Sequence, residues 1–191
     1  MRHALTLAVI LGLSVLDSPS TGEAAGPLKA QVLDAETGQP LEGVVVLAYW
    51  LKMTRGPGGA SPSFYDAEEV VTGPDGRFTI PSRSTLTLNP FTYIDGPEFT
   101  IFKPGYGRWG IRGWKGERPK EWQDLTVGEI LTREGIVIEL PPLKTREERL
   151  KFYHSLDWSG LVPPERTQRL REAEDAERAY LGFRKMHEGK P

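Results

Sequence analysis

Val44-Val45-Val46-Leu47-Ala48-Tyr49-Trp50 is an unbroken apolar run that opens on three β-branched residues. A run of this length and composition reads as a strand covered on both faces, because a strand with one wet face would alternate. Alternation is what stands upstream: Leu28, Ala30 and Val32 are interleaved with Lys29, Gln31 and Leu33, the period-2 pattern of a half-buried strand. Asp34 to Pro40 lies between the two, and Gly38 can take the positive φ that a turn there needs. Residues 25–51 are therefore expected to form a hairpin, with 28–33 and 44–50 as neighbouring strands.

Downstream, Gly56, Pro57, Gly58, Gly59 and Pro62 mark residues 52–65 as a surface loop. A strand is expected from about Tyr65 to Thr72. Gly73-Pro74-Asp75-Gly76 is a strong turn signal, and Arg77 to Ile80 is expected to pair with the strand before it, Phe78 and Ile80 sharing a face. Residues 81–97 are interrupted by Pro81, Pro90 and Pro97 and read as irregular. Glu98 to Lys103 alternates again, and Ile136, Val137, Ile138 and Leu140 make a last strand that Pro141-Pro142 stops.

The grammar then changes from period 2 to period 3.6. Thr145-Arg146-Glu147-Glu148 matches a capping box and opens a helix to about Leu156. A second helix follows Pro163-Pro164 and runs to about Arg184, with Leu170, Ala173, Ala176, Tyr180 and Phe183 near one face. Glu165 with Arg169, and Glu174 with Arg178, are spaced as favourable i,i+4 pairs.

The chain has 191 residues, a formal net charge of −2, 21 glycines, 16 prolines and no cysteine. Near-zero charge gives no overall field for nucleic acid. Arg2 and His3 precede an apolar stretch from Ala4 to Val15, too short for a membrane span and fitting the core of a secretory signal peptide. A cut after Ala24 would leave Gly22 and Ala24 at the small-residue positions. No later segment is long and apolar enough to cross a bilayer. An exported chain without cysteine has no disulfide framework, so its fold rests on its hydrophobic core. This places it in the bacterial periplasm or outside the cell. The expected organisation is a signal peptide at 1–24, a sandwich domain at 25–142 and a helical tail at 143–191.

Three stretches carry a family resemblance. The first is Val32-Leu33-Asp34-Ala35-Glu36-Thr37-Gly38-Gln39-Pro40-Leu41-Glu42-Gly43-Val44-Val45-Val46, the second Thr72-Gly73-Pro74-Asp75-Gly76-Arg77-Phe78-Thr79-Ile80, and the third Phe102-Lys103-Pro104-Gly105-Tyr106. In order and spacing they resemble the carboxypeptidase regulatory-like family, over about residues 27 to 140. The resemblance implies a mainly β fold, a transthyretin-like antiparallel β-sandwich of about seven strands in Greek-key order, with the helices as a C-terminal extension. It implies scaffold roles for the motif residues: Gly38 and Gly76 in turns, Val44 to Val46 and Phe78 in the core, and Tyr106 packed at an edge with its hydroxyl hydrogen-bonded. A fold of this kind does not itself assign an activity.

The sequence holds no recognisable catalytic constellation, and no metal or cofactor is expected. Zinc carboxypeptidases hold their metal with two histidines and a glutamate. Here His154 and His187 both fall in the helical tail, and neither is followed by glutamate at the third place. No Gly-x-Ser-x-Gly elbow or phosphate loop occurs. Asp66, Glu68 and Glu69 form an acidic cluster that reads as solvated side chains rather than a calcium site. One stretch stands out. Between Lys103 and Trp122, basic residues including Arg108 and Arg112 are interleaved with Tyr106, Trp109, Trp114 and Trp122. Tryptophan and arginine together are enriched at binding hot spots. These six residues, Tyr106, Arg108, Trp109, Arg112, Trp114 and Trp122, are the candidate contact for a partner, although packing of the tryptophans onto the sandwich would explain them too. The expected function is an exported, non-catalytic binding module whose partner is an envelope protein, a peptide or a glycan. The alternative is a structural or accessory domain of an envelope complex. A metal-free hydrolase drawing on Asp, Glu, Tyr and Arg ranks behind both, and would need Asp66 or Glu68 beside a tyrosine with a shifted pKa.

Overall fold

The computed structural model describes residues 27–114, 119–156 and 160–186. The expected signal peptide at 1–24 and His187 lie outside the described residues.

Seven strands and three α-helices follow one another along the described chain. The strands are β1 (Leu28–Asp34), β2 (Val45–Gly56), β3 (Gly59–Val71), β4 (Arg77–Ile80), β5 (Thr92–Phe102), β6 (Gly110–Ile111) and β7 (Val137–Leu140). The helices are α1 (Val127–Leu131), α2 (Arg146–His154) and α3 (Gln168–Leu181). One sheet has the order β4-β1-β7-β6 and the other β3-β2-β5. The fold is mainly β and sandwich-like, with a helical extension, as expected. It is not antiparallel throughout, because β1 and β7 run parallel, with Val32 opposite Ile138.

The apolar run at 44–50 behaves as its composition requires. Val44, Val46, Ala48 and Trp50 enter the interior between the sheets, where they meet Leu28, Ala30 and Val32 of β1 and Phe78 and Ile80 of β4. Val45, Leu47 and Tyr49 face the other way and are covered by Val162, Leu170, Phe152, Leu156 and Ala173 from the helical segment. The molecule therefore has three layers: sheet, sheet and helices.

The expected hairpin at 25–51 does not form. β1 and β2 belong to opposite sheets and face each other across the core. After Asp34 the chain hooks back so that the Leu41 N–H donates to the Val32 carbonyl at 2.9 Å. It then crosses to the second sheet, where the Val44 N–H donates to Thr72 Oγ1 at 2.9 Å. Alternation fixes which side of a strand is dry, and two strands facing across a core show the same alternation as two lying side by side. The turn at 73–76 is a crossing of the same kind. β4 pairs with β1, Leu28 opposite Ile80 and Ala30 opposite Phe78, and not with the strand before it.

Residues 52–65 are not a loop. β2 and β3 continue as a ladder out to Gly56 opposite Gly59, with Pro57-Gly58 as the turn. Pro62 is tolerated because β3 is an edge strand. β5 likewise begins at Thr92 rather than at Glu98, with a register jump opposite Trp50.

The capping box at Thr145 and Glu148 is present as read, each side chain accepting from the other's backbone. The buried face of α3 differs from expectation. Leu170, Glu174, Glu177 and Leu181 are buried, whereas Tyr180 and Phe183 are exposed. The two glutamates turn inward because each has a partner there. Glu177 meets Arg149, and Glu174 accepts from the Tyr153 hydroxyl at 3.0 Å.

The acidic cluster is consumed by the tail and its neighbours. Arg83 pairs with Asp66 at 3.1 Å and with Glu68, and Arg166 pairs with Asp66 at 2.8 Å. Glu69 accepts the backbone N–H groups of Arg169 and Leu170, both at 2.8 Å, at the start of α3. A carboxylate there satisfies donors that a helix N-terminus leaves open and complements its dipole.

Candidate binding cleft at Trp109

The segment carrying the candidate residues is laced to the strand end at 141–143. The Gly107 N–H donates to the Pro141 carbonyl and the Leu143 N–H to the Gly105 carbonyl, both at 2.8 Å. Tyr106 is half-buried, and its hydroxyl donates to Asp34 Oδ2 at 3.1 Å. Asp34 Oδ1 meanwhile accepts from the backbone of Glu36 at 2.8 Å and of Thr37 at 2.9 Å. Tyr106 therefore joins the corner at 103–106 to the first turn. It is scaffold and not a free contact.

The same cluster fixes a pH dependence. Burial pushes the Asp34 carboxyl up, but hydrogen bonds from Thr37, Glu36 and Tyr106 outweigh it and hold the group below its ordinary value of 3.8. A depressed pKa in the folded state means that the unfolded chain binds the proton first. The stabilisation is complete above pH 3.8 and is lost as pH falls through the lower folded value. Asp34→Asn keeps most of the geometry and removes the charge. The stability gap between wild type and this variant is expected to narrow in urea titrations as pH is lowered below 3.8. A gap that stays constant with pH would remove Asp34 as the cause.

The remaining candidates divide. Arg108 is exposed. Arg112 is exposed too, but it pairs with Glu139 at 2.6 Å beside β6 and β7. Trp109, Trp114 and Trp122 are half-buried and pack against the main core. The tryptophans thus serve the rim of the sandwich, in line with the packing explanation, and do not form one open aromatic face.

Trp109 also lines a cleft of about 290 Å³, together with Asp95, Pro97, Glu98, Phe99 and Val127. One wall is the bulged stretch of β5 around Gly96 and Pro97. The other is the start of α1, held by a capping box between Thr126 and Glu129. The Thr126 backbone and hydroxyl hold the Glu129 carboxyl below its usual range. α1 sits hard against the opposite wall, since a Cβ on Gly128 would come within 2.9 Å of Pro97 Cδ. The walls are therefore fixed by secondary structure. Asp95 and Glu98 are exposed carboxylates at this cleft, and neither has an ion-pair partner among the described residues. Sequence reading passed over both, because Gly96-Pro97 between them reads as a breaker. Their one signal was a pair of acids flanking that dipeptide.

The cleft offers an indole, an apolar floor and acceptors, which is binding equipment. Burial raises the Tyr106 pKa, reinforced by Asp34, and burial likewise raises that of Tyr153, so both hydroxyls keep their protons. Asp66 and Glu68, the acids that a hydrolase reading needs beside such a tyrosine, are held by Arg83 and Arg166 instead. No group of three or more His, Cys, Asp or Glu side chains suited to a metal ion occurs among the described residues. Comparison of the chain with family models, with curated proteins and with solved structures gives no match in any of the three.

Proposed function

We propose that this chain is an exported, non-catalytic binding module of the bacterial envelope, and that it holds a glycan in the cleft at Trp109. The observation that carries the reading is the placement of Trp109 beside the carboxylates of Asp95 and Glu98, which have no ion-pair partner among the described residues, at one cleft. Asp95 Oδ1 accepts the Gly96 N–H at 3.0 Å and leaves Oδ2 for a ligand. Carboxylate oxygens accept hydrogen bonds, so they suit a ligand rich in hydroxyl donors, and the indole suits the apolar face of a sugar ring. Kinship with the carboxypeptidase regulatory-like sandwiches belongs to the same proposal. It is supported by the structural work of the motif residues, above all the link from Tyr106 of the third stretch to Asp34 of the first. The accessory-domain reading would use the helices on a partner, whereas Phe152 of α2, Leu156, Val162, and Leu170 and Ala173 of α3 already cover this protein's own sheet.

Titration with oligomers of N-acetylglucosamine, followed by tryptophan fluorescence, tests the reading. Glu98→Gln and Asp95→Asn are each expected to weaken binding about tenfold, the size of one charge-assisted hydrogen bond, at unchanged melting temperature. Saturable binding that both variants retain in full would sink the cleft as the site. Capture of a basic peptide in place of the sugar, lost in the same variants, would replace the glycan with a peptide.

A further inference from the structure

The three-stranded sheet outlasts the sandwich. Beyond Trp50 the inner face of β2 turns polar, with Lys52 and Thr54 exposed, and β2, β3 and β5 run on as an arm flanked by residues 81–91. That flank is held by its backbone. The Arg55 N–H donates to the Phe91 carbonyl at 2.8 Å, the Phe91 N–H to Asn89 Oδ1 at 2.9 Å, and the Tyr65 hydroxyl to the Ser84 carbonyl at 3.3 Å. Its apolar side chains point away from any core: Leu86 is 64%, Leu88 95% and Phe91 66% exposed. A single exposed leucine is ordinary, but three large exposed apolar residues within six positions concentrate apolar surface on one segment.

Charge selects what meets the patch. The chain holds 26 acidic residues, yet none falls in 51–65 or 81–94. Arg55 lies over the Tyr93 ring at 5.3 Å, so cation and aromatic share one face, and Lys52 is exposed on the opposite face of the same strand, so both sides of the arm carry a cation. Arg83 is already engaged by Asp66 and Glu68. The flank at 81–91 is thus apolar where it is most exposed, its neighbours Lys52 and Arg55 are cationic and it carries no acid. Near-complete exposure of Leu88 marks a protrusion rather than a groove. A bilayer surface accepts a protrusion without a matching cavity.

We propose that this arm docks the protein on an anionic lipid surface, with Leu86, Leu88 and Phe91 entering the interface, Tyr65 and Tyr93 at headgroup depth, and Lys52 and Arg55 on the phosphates. Aromatic residues favour that depth, and basic residues gain from the negative surface. The docking site is separate from the cleft at Trp109 and does not depend on it.

Co-sedimentation of the exported protein with vesicles of phosphatidylglycerol and phosphatidylethanolamine provides the test. The wild type is expected to sediment with these vesicles and to be released in part by salt. Leu86→Ala with Leu88→Ala and Phe91→Ala should weaken binding on the order of a hundredfold, since each lost side chain removes buried apolar area. Lys52→Glu with Arg55→Glu should weaken it about tenfold and reduce the salt dependence. All these residues are exposed, so melting temperatures should hold, and Glu98→Gln should bind vesicles as the wild type does. Failure of the wild type to bind, or full binding by the triple variant, would overturn the proposal. Equal affinity for phosphatidylcholine vesicles would overturn its anionic character, and a protein captured through residues 86–91 without any vesicle binding would replace the membrane with that protein.

Discussion

Replacing Glu177 with alanine is expected to destabilise the protein by about 3–5 kcal/mol, the cost of removing one partner from a buried ion pair. Both side chains of the pair are shielded, Arg149 13% and Glu177 4% exposed. Glu177 Oε1 accepts from Arg149 Nε at 2.7 Å, and Oε2 accepts from the Gly105 N–H at 2.9 Å. The hydrogen bond to Glu177 raises the Arg149 pKa above its already high value, and the guanidinium lies 3.4 Å from the Tyr180 ring centroid. Alanine would leave a desolvated cation and a backbone donor without an acceptor at the joint of α2, α3 and the corner at 103–106. Urea denaturation of the variant measures the loss. Glu177→Leu combined with Arg149→Met separates charge from packing, because a buried pair replaced by apolar groups is often neutral. A Glu177→Ala variant within about 1 kcal/mol of wild type would show that the pair does not hold the tail.

Gly76→Ala is expected to cost about 3 kcal/mol or more, against about 1 kcal/mol for Gly38→Ala. Both glycines have positive φ, +71° and +69°. The left-handed conformation alone costs an ordinary residue about 1–2 kcal/mol. At Gly38 an added Cβ meets nothing within 4 Å. At Gly76 it would stand 2.5 Å from the Val32 carbonyl oxygen and 3.1 Å from the Leu41 nitrogen, both backbone atoms that cannot swing aside. The Val32 N–H also donates to the Gly76 carbonyl at 2.8 Å, so a shift there would pull on β1. Equal denaturation midpoints for the two variants would contradict this contact argument and leave backbone conformation as the whole effect.

The contrast between these glycines shows what a sequence discloses. A turn signal reveals that residue 76 needs a positive φ, whereas the carbonyl it presses against comes from a strand forty-odd positions earlier and leaves no local trace. Residues 44–50 announce burial on both faces, since no hydrophilic position interrupts them. They do not say which sheet they join, and so the pairing of β1 with β4 and β7 was out of reach. Thr145 and Glu148 were legible because a capping box is local. Glu174 and Glu177 were not, because a hydropathy pattern sends carboxylates outward unless a distant arginine or tyrosine is known to wait for them. At the cleft, Trp109 was visible among the basic and aromatic residues. Asp95 and Glu98 became neighbours of it only through the bulged path of β5.

Clothing the outer side of β2 with residues from 152 onward has a consequence for how the chain matures. Val45, Leu47 and Phe102 are made well before the residues that shield them, Val162 and Leu170. A polypeptide delivered amino end first must carry an unshielded oily wall until α3 arrives, and transiently bare surface of that kind invites self-association.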